Sequence, residues 1–366
     1  MKKLLLVSLM VVMVVSLLLA GCTQSPASSA STSQTVSAPA TSASTPVQSA
    51  TPATVYKLRM STHAFDPQRY FVASQDWIKL VQDRTNGAVQ VETFASGSLY
   101  QPTTVGDALI SGEIDMALTT PGTFPKQVPA NALDWLDFAG PDVTQGWAKL
   151  HTLVSDPVVM NALDAKFQSI GVKLLYFVPN CVMQGPLSVK APVTSMADLK
   201  GMIVYTPSTT VSKYIEALGG TTVFVPTGDV PAALQRGTFN AALSLNEMYM
   251  AFKLYENAKY ITDYTFTAGL MPYFISLKTW DNLPADVQDV MLTASTEIQD
   301  QYFASQAAYD TGMWKGLSSK VTVTELSPEE KTNWDAAVNK FHVGYAQTDD
   351  LTKQIWQRWT EIKAGQ

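Results

Sequence analysis

Two stretches of the chain repeat one order of apolar and polar positions. Between residues 199 and 247, an alternating run at 202–205 predicts a strand, and helical spacing at 211–218 predicts a helix that Gly219 and Gly220 end. A strand at 222–225, a helix at 230–235, Gly237 and a strand at 239–243 complete the unit. Residues 56–120 run the same way: strand 57–60, a helix, Gly87, strand 89–94, a short helix, Gly112 and strand 114–118. The last arms correspond almost position by position. Val105, Ala108, Leu109, Gly112, Ala117, Leu118 and Thr119 parallel Val230, Ala233, Leu234, Gly237, Ala242, Leu243 and Ser244.

Strands alternating with helices at this spacing predict parallel sheets with right-handed crossovers. Two such units predict an α/β chain of two similar lobes. Ligands of open parallel sheets sit beyond the carboxyl ends of the strands, and two lobes can turn those ends toward one shared cleft. An apolar, aromatic connection at 133–141 reads as core, and 154–167 as a helix. The run at 172–178 is a strong strand leading into the second lobe, and the strand containing 271–277 returns to the first. From Pro284, Val287, Val290, Met291, Ala294 and Ile298 keep one apolar face of a long helical stretch that continues to about residue 317. Residues 321–326 read as a short strand, and Ser327-Pro328 starts a helix. Trp334, Val338, Phe341, Trp356 and Trp359 make the closing helices amphipathic and are expected to pack on the lobes.

This geometry selects the candidate site residues. His63, Ser96, Thr119 and Thr120 follow the three strands of the first unit, where small, hydroxylated or aromatic groups suit a small molecule. Tyr70 lies just after the first strand. Arg69 beside it either reaches the cleft or is a solvated residue where a helix starts. Ser244, Asn246, Glu247 and Tyr249 follow the third strand of the second unit. Glu247 either accepts a hydrogen bond from the ligand or caps the next helix. Asn180 and Met183 follow the strand that joins the lobes.

The order Asp198-Leu199-Lys200-Gly201-Met202, Pro207, Ala217-Leu218-Gly219-Gly220, 230–237 and Lys259-Tyr260 resembles the DctP-type solute-binding proteins of tripartite ATP-independent periplasmic (TRAP) transporters. Thr85-Asn86-Gly87, Gly97-Ser98-Leu99 and 112–116 fit the same pattern, so the resemblance runs from about Tyr56 to the C-terminus. It implies a two-lobe, periplasmic-binding-protein-like (Venus flytrap) fold, with crossing strands at the hinge and a long helix backing both lobes. Lobe I would take 55–180 and about 271–310, and lobe II 181–270 and about 311–366. The implied role is capture of a small organic solute by hinge closure and delivery to a TRAP permease. A sensory partner in place of the permease is the alternative. The resemblance also exposes a departure: where the family carries an arginine that forks onto an organic acid, this chain has Tyr205. A second family arginine falls near Gln184. The ligand is therefore neutral, aromatic, or an acid held by another cation such as Arg69 or Lys190. Thr206 and Phe274 complete the candidate wall.

The N-terminus supplies an address. Lys2-Lys3, an apolar run at 4–18 and Leu19-Ala20-Gly21-Cys22 match a lipoprotein signal, with 1–21 removed and Cys22 lipidated; an ordinary secretory signal is the other reading. Residues 22–54, rich in Ser, Thr, Ala and Pro and free of charge, predict a flexible tether between membrane and globule. Losing Lys2 and Lys3 makes the formal net charge, −6 for the whole chain, two units more negative. That acidity, with no basic run, argues against nucleic acid. Two cysteines and three histidines leave little material for metal sites or disulfides, and Cys181 reads as a small buried apolar residue. No cofactor is expected, and the expected state is a monomer. A secreted enzyme is the rival class, but the chain contains no Gly-x-Ser-x-Gly elbow, His-Glu-x-x-His or phosphate-cradling glycine loop.

Overall fold

The computed structural model describes residues 54–120, 123–124, 128, 133–139 and 142–366. The signal segment, Cys22 and nearly all of the tether lie outside the described residues.

The first unit folds as β1 (Tyr56–Thr62), α1 (Arg69–Arg84), β2 (Val89–Phe94), α2 (Val105–Ser111) and β3 (Met116–Leu118). Both β2 and β3 pair parallel to β1. Helices α3 (Val143–Val154) and α4 (Pro157–Gln168) follow, with Asp142 and Asp156 accepting the free N–H groups of their first turns. The 17-residue strand β4 (Val172–Ser188) then crosses into the second unit. That unit comprises β5 (Ile203–Tyr205), α5 (Thr209–Ala217), β6 (Thr221–Val223), α6 (Val230–Gln235) and β7 (Ala241–Leu245), with β6 and β7 parallel to β5. After α7 (Asn246–Ala251) and β8 (Tyr260–Thr262), β9 (Thr265–Ser276) carries the chain back.

All these strands share one curled sheet in the order β2-β1-β3-β9-β4-β7-β5-β6, with β8 pairing β4 off this path. Each lobe is parallel at its outer strands. Strands β4 and β9 pair antiparallel, from Val172↔Ser276 to Gln184↔Thr265, because a chain that leaves one lobe and returns must run both ways. Bulges interrupt the pair between Leu174 and Tyr176, between Pro179 and Val182 and between Met183 and Gln184.

The chain closes with α8 (Leu277–Trp280), α9 (Ala285–Ala304), α10 (Gln306–Ser318), β10 (Thr322–Thr324), α11 (Pro328–Tyr345) and α12 (Asp350–Lys363). The long helical stretch is thus two helices. The break falls at Ser305, where the Arg69 side chain takes the Tyr302 carbonyl (2.9 Å) and the Ser305 hydroxyl (2.5 Å). Arginine at the end of a helix satisfies carbonyls that have no intrahelical partner, and the pattern of apolar positions does not register that. Helix α9 backs the first lobe: Trp77 Nε1 donates to Ser295 Oγ (3.1 Å), and Gln299 Oε1 accepts from the Phe177 N–H (3.1 Å). Helix α10 packs against α7 of the second lobe and α3. The predicted strands at 222–225 and 239–243 are displaced by one or two residues. Phe224 falls outside β6 and is 61% exposed. Asn240 holds the end of β5 through its backbone and side chain instead of continuing the ladder of β7.

Candidate functional site

The carboxyl ends of the parallel strands from both lobes converge on one cavity of about 90 Å³. A buried water needs roughly 10–15 Å³ on the same measure, so the space suits a solute of a handful of heavy atoms. His63 beyond β1, Thr120 beyond β3 and Tyr70 from α1 line it from the first lobe. Tyr205 at the end of β5 and Ser244 in β7 face them from the second lobe, with Met183 on the crossing strand β4. A wider groove of about 710 Å³ leads outward past His63 and Phe65, and Ser96 lies in this mouth, not in the inner cavity.

The local chemistry is specific. Tyr205 is 2% exposed, and its ring stacks on Phe239 with centroids 5.3 Å apart. Burial lowers the pKa of His63 to about 4, so the imidazole is neutral near pH 7; its Nδ1 has no partner among the described residues. Ser244 Oγ is also buried and unpartnered among them. Gln68 bridges the lobes: its Oε1 accepts from the Tyr70 hydroxyl (3.0 Å), and its Nε2 points at Met248 Sδ (3.8 Å). Gly269 on β9 forms part of the wall, and a Cβ there would meet Leu245 Cδ2 at 3.0 Å.

The sequence reading missed one residue with consequences. Asp134, in the connection read as plain core, lines the cavity and is only 5% exposed. The Ser208 hydroxyl donates to Asp134 Oδ2 (3.3 Å) while accepting the Val211 N–H as the cap of α5 (3.1 Å). The Tyr214 hydroxyl donates to the Asp134 carbonyl (2.8 Å), tying the connection to the second lobe. Asp134 Oδ1 has no partner among the described residues. Burial pushes the carboxyl's pKa up to about 7, opposed by the Ser208 hydrogen bond. An acid set between the large apolar residues Leu133, Trp135 and Leu136 was the available signal, since carboxylates are rarely buried without purpose.

Several candidates sit elsewhere. Arg69 does not reach the cavity. Its guanidinium donates to Gln306 Oε1 (2.8 Å) as well as to the α9 end, and lies 4.8 and 4.7 Å from the Tyr302 and Tyr309 ring centroids. Glu247 does cap a helix, but the helix is α1 of the other lobe: its Oε1 accepts the Arg69 backbone N–H (3.0 Å) and the Tyr309 hydroxyl (2.7 Å). Gln184 is held by Asn246 Nδ2 (2.5 Å) and donates to Asp263 Oδ1 (3.0 Å), so neither Gln184 nor Asn246 lines the cavity. The Tyr249 hydroxyl stitches β7 to the β4 bulge, accepting the Ser244 N–H (2.8 Å). Thr206 pairs with Ser212 Oγ (2.6 Å) and Thr119 with Thr123 Oγ1 (2.8 Å). Asn180 is fully buried behind the cavity, at the crossing of the long strands. Phe274 points into the core, edge-on to Phe124 at 5.3 Å, because the alternation along β9 puts it on the face opposite Tyr273. Lys190 is exposed, and Cys181 is buried. Among the described residues, no lysine or arginine lines the cavity, and no group of acids, histidines and cysteines has metal-binding geometry.

Residues 60–348 match the model of the DctP family, described as bacterial extracellular solute-binding protein, family 7. A solute-binding protein of Albidiferax ferrireducens is 26% identical over 62% of this chain and 66% of its own length, just under two thirds of that relative. The C4-dicarboxylate-binding periplasmic protein of Rhodobacter capsulatus is 24% identical over 76% of this chain and 80% of its own. Among solved structures, a Bordetella pertussis extracytoplasmic solute receptor binding pyroglutamic acid superposes with a TM-score of 0.74 at 18% identity. It covers 84% of this chain and 100% of its own. A Desulfovibrio desulfuricans TRAP periplasmic solute-binding protein with bound sn-glycerol-3-phosphate gives a TM-score of 0.76 at 18% identity, covering 84% and 97%.

Proposed function

Because this chain belongs to the DctP family of bacterial extracellular solute-binding proteins, we propose that it captures one small organic solute between its lobes and hands it to a TRAP-type permease. The observation that carries this reading is the cavity walled by His63 and Thr120 from one lobe and by Tyr205 and Ser244 from the other. A solute touching both walls stabilises the closed arrangement more than the open one, and that difference shifts the population toward closure. The β4–β9 crossing, softened by its bulges, is the proposed hinge. The lobe boundaries follow from it, with β4 and β9 contributing to both lobes.

In this reading Tyr205 stands where the family's acid-clamping arginine does. A fixed positive charge gives way to an aromatic face and a hydroxyl, so the solute is not an ordinary dicarboxylate. The proposed location is outside the cytoplasmic membrane, held there by a lipid on Cys22, with the protein acting as a monomeric carrier and not as an enzyme. Small-angle scattering tests the mechanism: the radius of gyration should fall when a bound solute is added, and an unchanged profile with a tight binder present refutes closure. Mass spectrometry of the membrane-extracted protein tests the anchor, with a diacylglyceryl-modified Cys22 as the expected N-terminus.

A further inference from the structure

We propose that the cavity takes a small organic cation, a protonated amine whose N–H donates to Asp134 Oδ1 while its apolar body lies against Met183, Met248, Met271 and the rings of Tyr70 and Tyr205. This rests on the solute-binding reading and goes further by assigning the charge class of the solute and the residue that reads it.

Four observations combine. Asp134 is the formally charged side chain lining the cavity among the described residues, and no lysine or arginine joins it there. Arg69, the arginine nearest in sequence to the cavity wall, is committed to the end of α9. Asp134 is buried; among the described residues Ser208 donates to its Oδ2, its own backbone N–H also lowers its pKa, and Oδ1 has no side-chain partner. A carboxylate offers about four acceptor positions, so most of this one's capacity is unspent. The rest of the wall is neutral: methionine sulfurs and tyrosine faces attract a cation, and His63, Thr120 and Ser244 offer hydrogen bonds but no fixed positive charge. A carboxylate solute would instead lie within reach of Asp134 with no counter-charge, the costliest arrangement available.

Protonation of Asp134 makes the inference testable by sign. The groups around it are the Ser208 hydroxyl at the cap of α5, Tyr214 on α5, Tyr345 and His342 on α11, and His63, Tyr70 and Tyr205 elsewhere on the cavity wall. The tyrosines are pushed above their ordinary pKa and both histidines below theirs. Asp134, raised to about 7, changes charge between pH 5 and pH 8. An amine must expel its proton. Its affinity should therefore fall about tenfold per pH unit below 7, with about one proton released per solute bound at pH 5.5. A carboxylate accepting a hydrogen bond from protonated Asp134 would show the opposite slope.

The experiment uses the full-length globule after signal removal. Calorimetry at pH 8 and pH 5.5, in buffers of different ionisation enthalpy, is run with matched sets: isopentylamine, isopentanol and isovalerate; benzylamine, benzyl alcohol and benzoate; phenethylamine, phenethyl alcohol and phenylacetate. The expected result is amine binding at least 100-fold tighter than that of the matched acid, proton release at pH 5.5, and a loss of 100-fold or more in Asp134→Asn. Proton release is read on the unaltered protein, so the test stands if the variant does not fold. Tighter binding of an acid, proton uptake, or failure of every amine overturns the inference while leaving solute capture intact. Absence of binding by these and by a broad set of acids, polyols and sugars overturns the solute-binding reading itself.

Discussion

Replacing Arg69 with alanine removes a side chain that holds three elements together without lining the cavity between the strand ends. The guanidinium donates to the Tyr302 carbonyl and the Ser305 hydroxyl at the end of α9, and to Gln306 at the start of α10. It also lies over the Tyr302 and Tyr309 rings. Hydrogen bonds from a charged donor contribute roughly 1.5–3 kcal/mol each in well-buried settings. The site is only partly buried, so about 1 kcal/mol each is appropriate after solvent screening. The ring contacts add about 0.5 kcal/mol each at such exposure, and the total is about 4 kcal/mol. At roughly 2.1 cal/mol/K per residue, the unit Pro52–Gln366 unfolds with an entropy of about 0.65 kcal/mol/K. The melting temperature should fall by about 6 °C. Arg69→Lys keeps the charge but cannot fork to three acceptors, and should recover about a third of the loss. Differential scanning calorimetry reads the stability, and isothermal titration of a bound solute reads the affinity, which should change less than threefold. An unchanged melting temperature with a tenfold or greater loss of affinity would make Arg69 a solute-binding cation and refute its assignment to the α9–α10 junction.

Asp134 gives a stability that depends on pH. Unfolded, it ionises near 3.9; folded, its pKa is about 7. As pH rises through that window the unfolded chain loses its proton first, so the ligand-free protein loses up to ~4 kcal/mol, with the cost complete above pH 7. Asp134→Asn should therefore gain several degrees in melting temperature over the unaltered protein at pH 8 relative to pH 5, and a constant difference would contradict the burial argument. Cys181 is fully buried with its thiol pKa pushed up by burial and by Asp310, so a chromogenic disulfide reagent should react with it only at the rate of unfolding. Gly146→Ala should destabilise by about 1–3 kcal/mol despite alanine's better helix propensity, because a Cβ would overlap the Phe138 ring. Equal or higher stability in urea melts would show that Phe138 moves freely.

The fold was legible because its determinants are local and repeated. Period-two and helical spacing set β1, β2, α1, α5 and the crossing strands, and the doubled unit implied two lobes with strand ends turned inward. His63, Thr120, Met183 and Ser244 were readable as wall residues from their places near strand ends or on the crossing strand, Tyr70 from its place after the first strand, and Tyr205 from the family resemblance. Side-chain direction and long-range pairing were not readable. Phe274 and Tyr273 differ by one position and face opposite sides of β9. Arg69 and Glu247 sit at suitable places in the chain, yet one closes the end of α9 and the other the start of α1. Asp134 belongs to a connection without periodicity, and its place in the cavity depends on Ser208 and Tyr214, more than seventy residues away. The sequence alone determined which segments are strands and helices, and the two-lobe plan. Tertiary structure decided which polar groups spend their hydrogen bonds on one another and which are left facing the cavity, because that depends on partners distant in the chain and close only after folding.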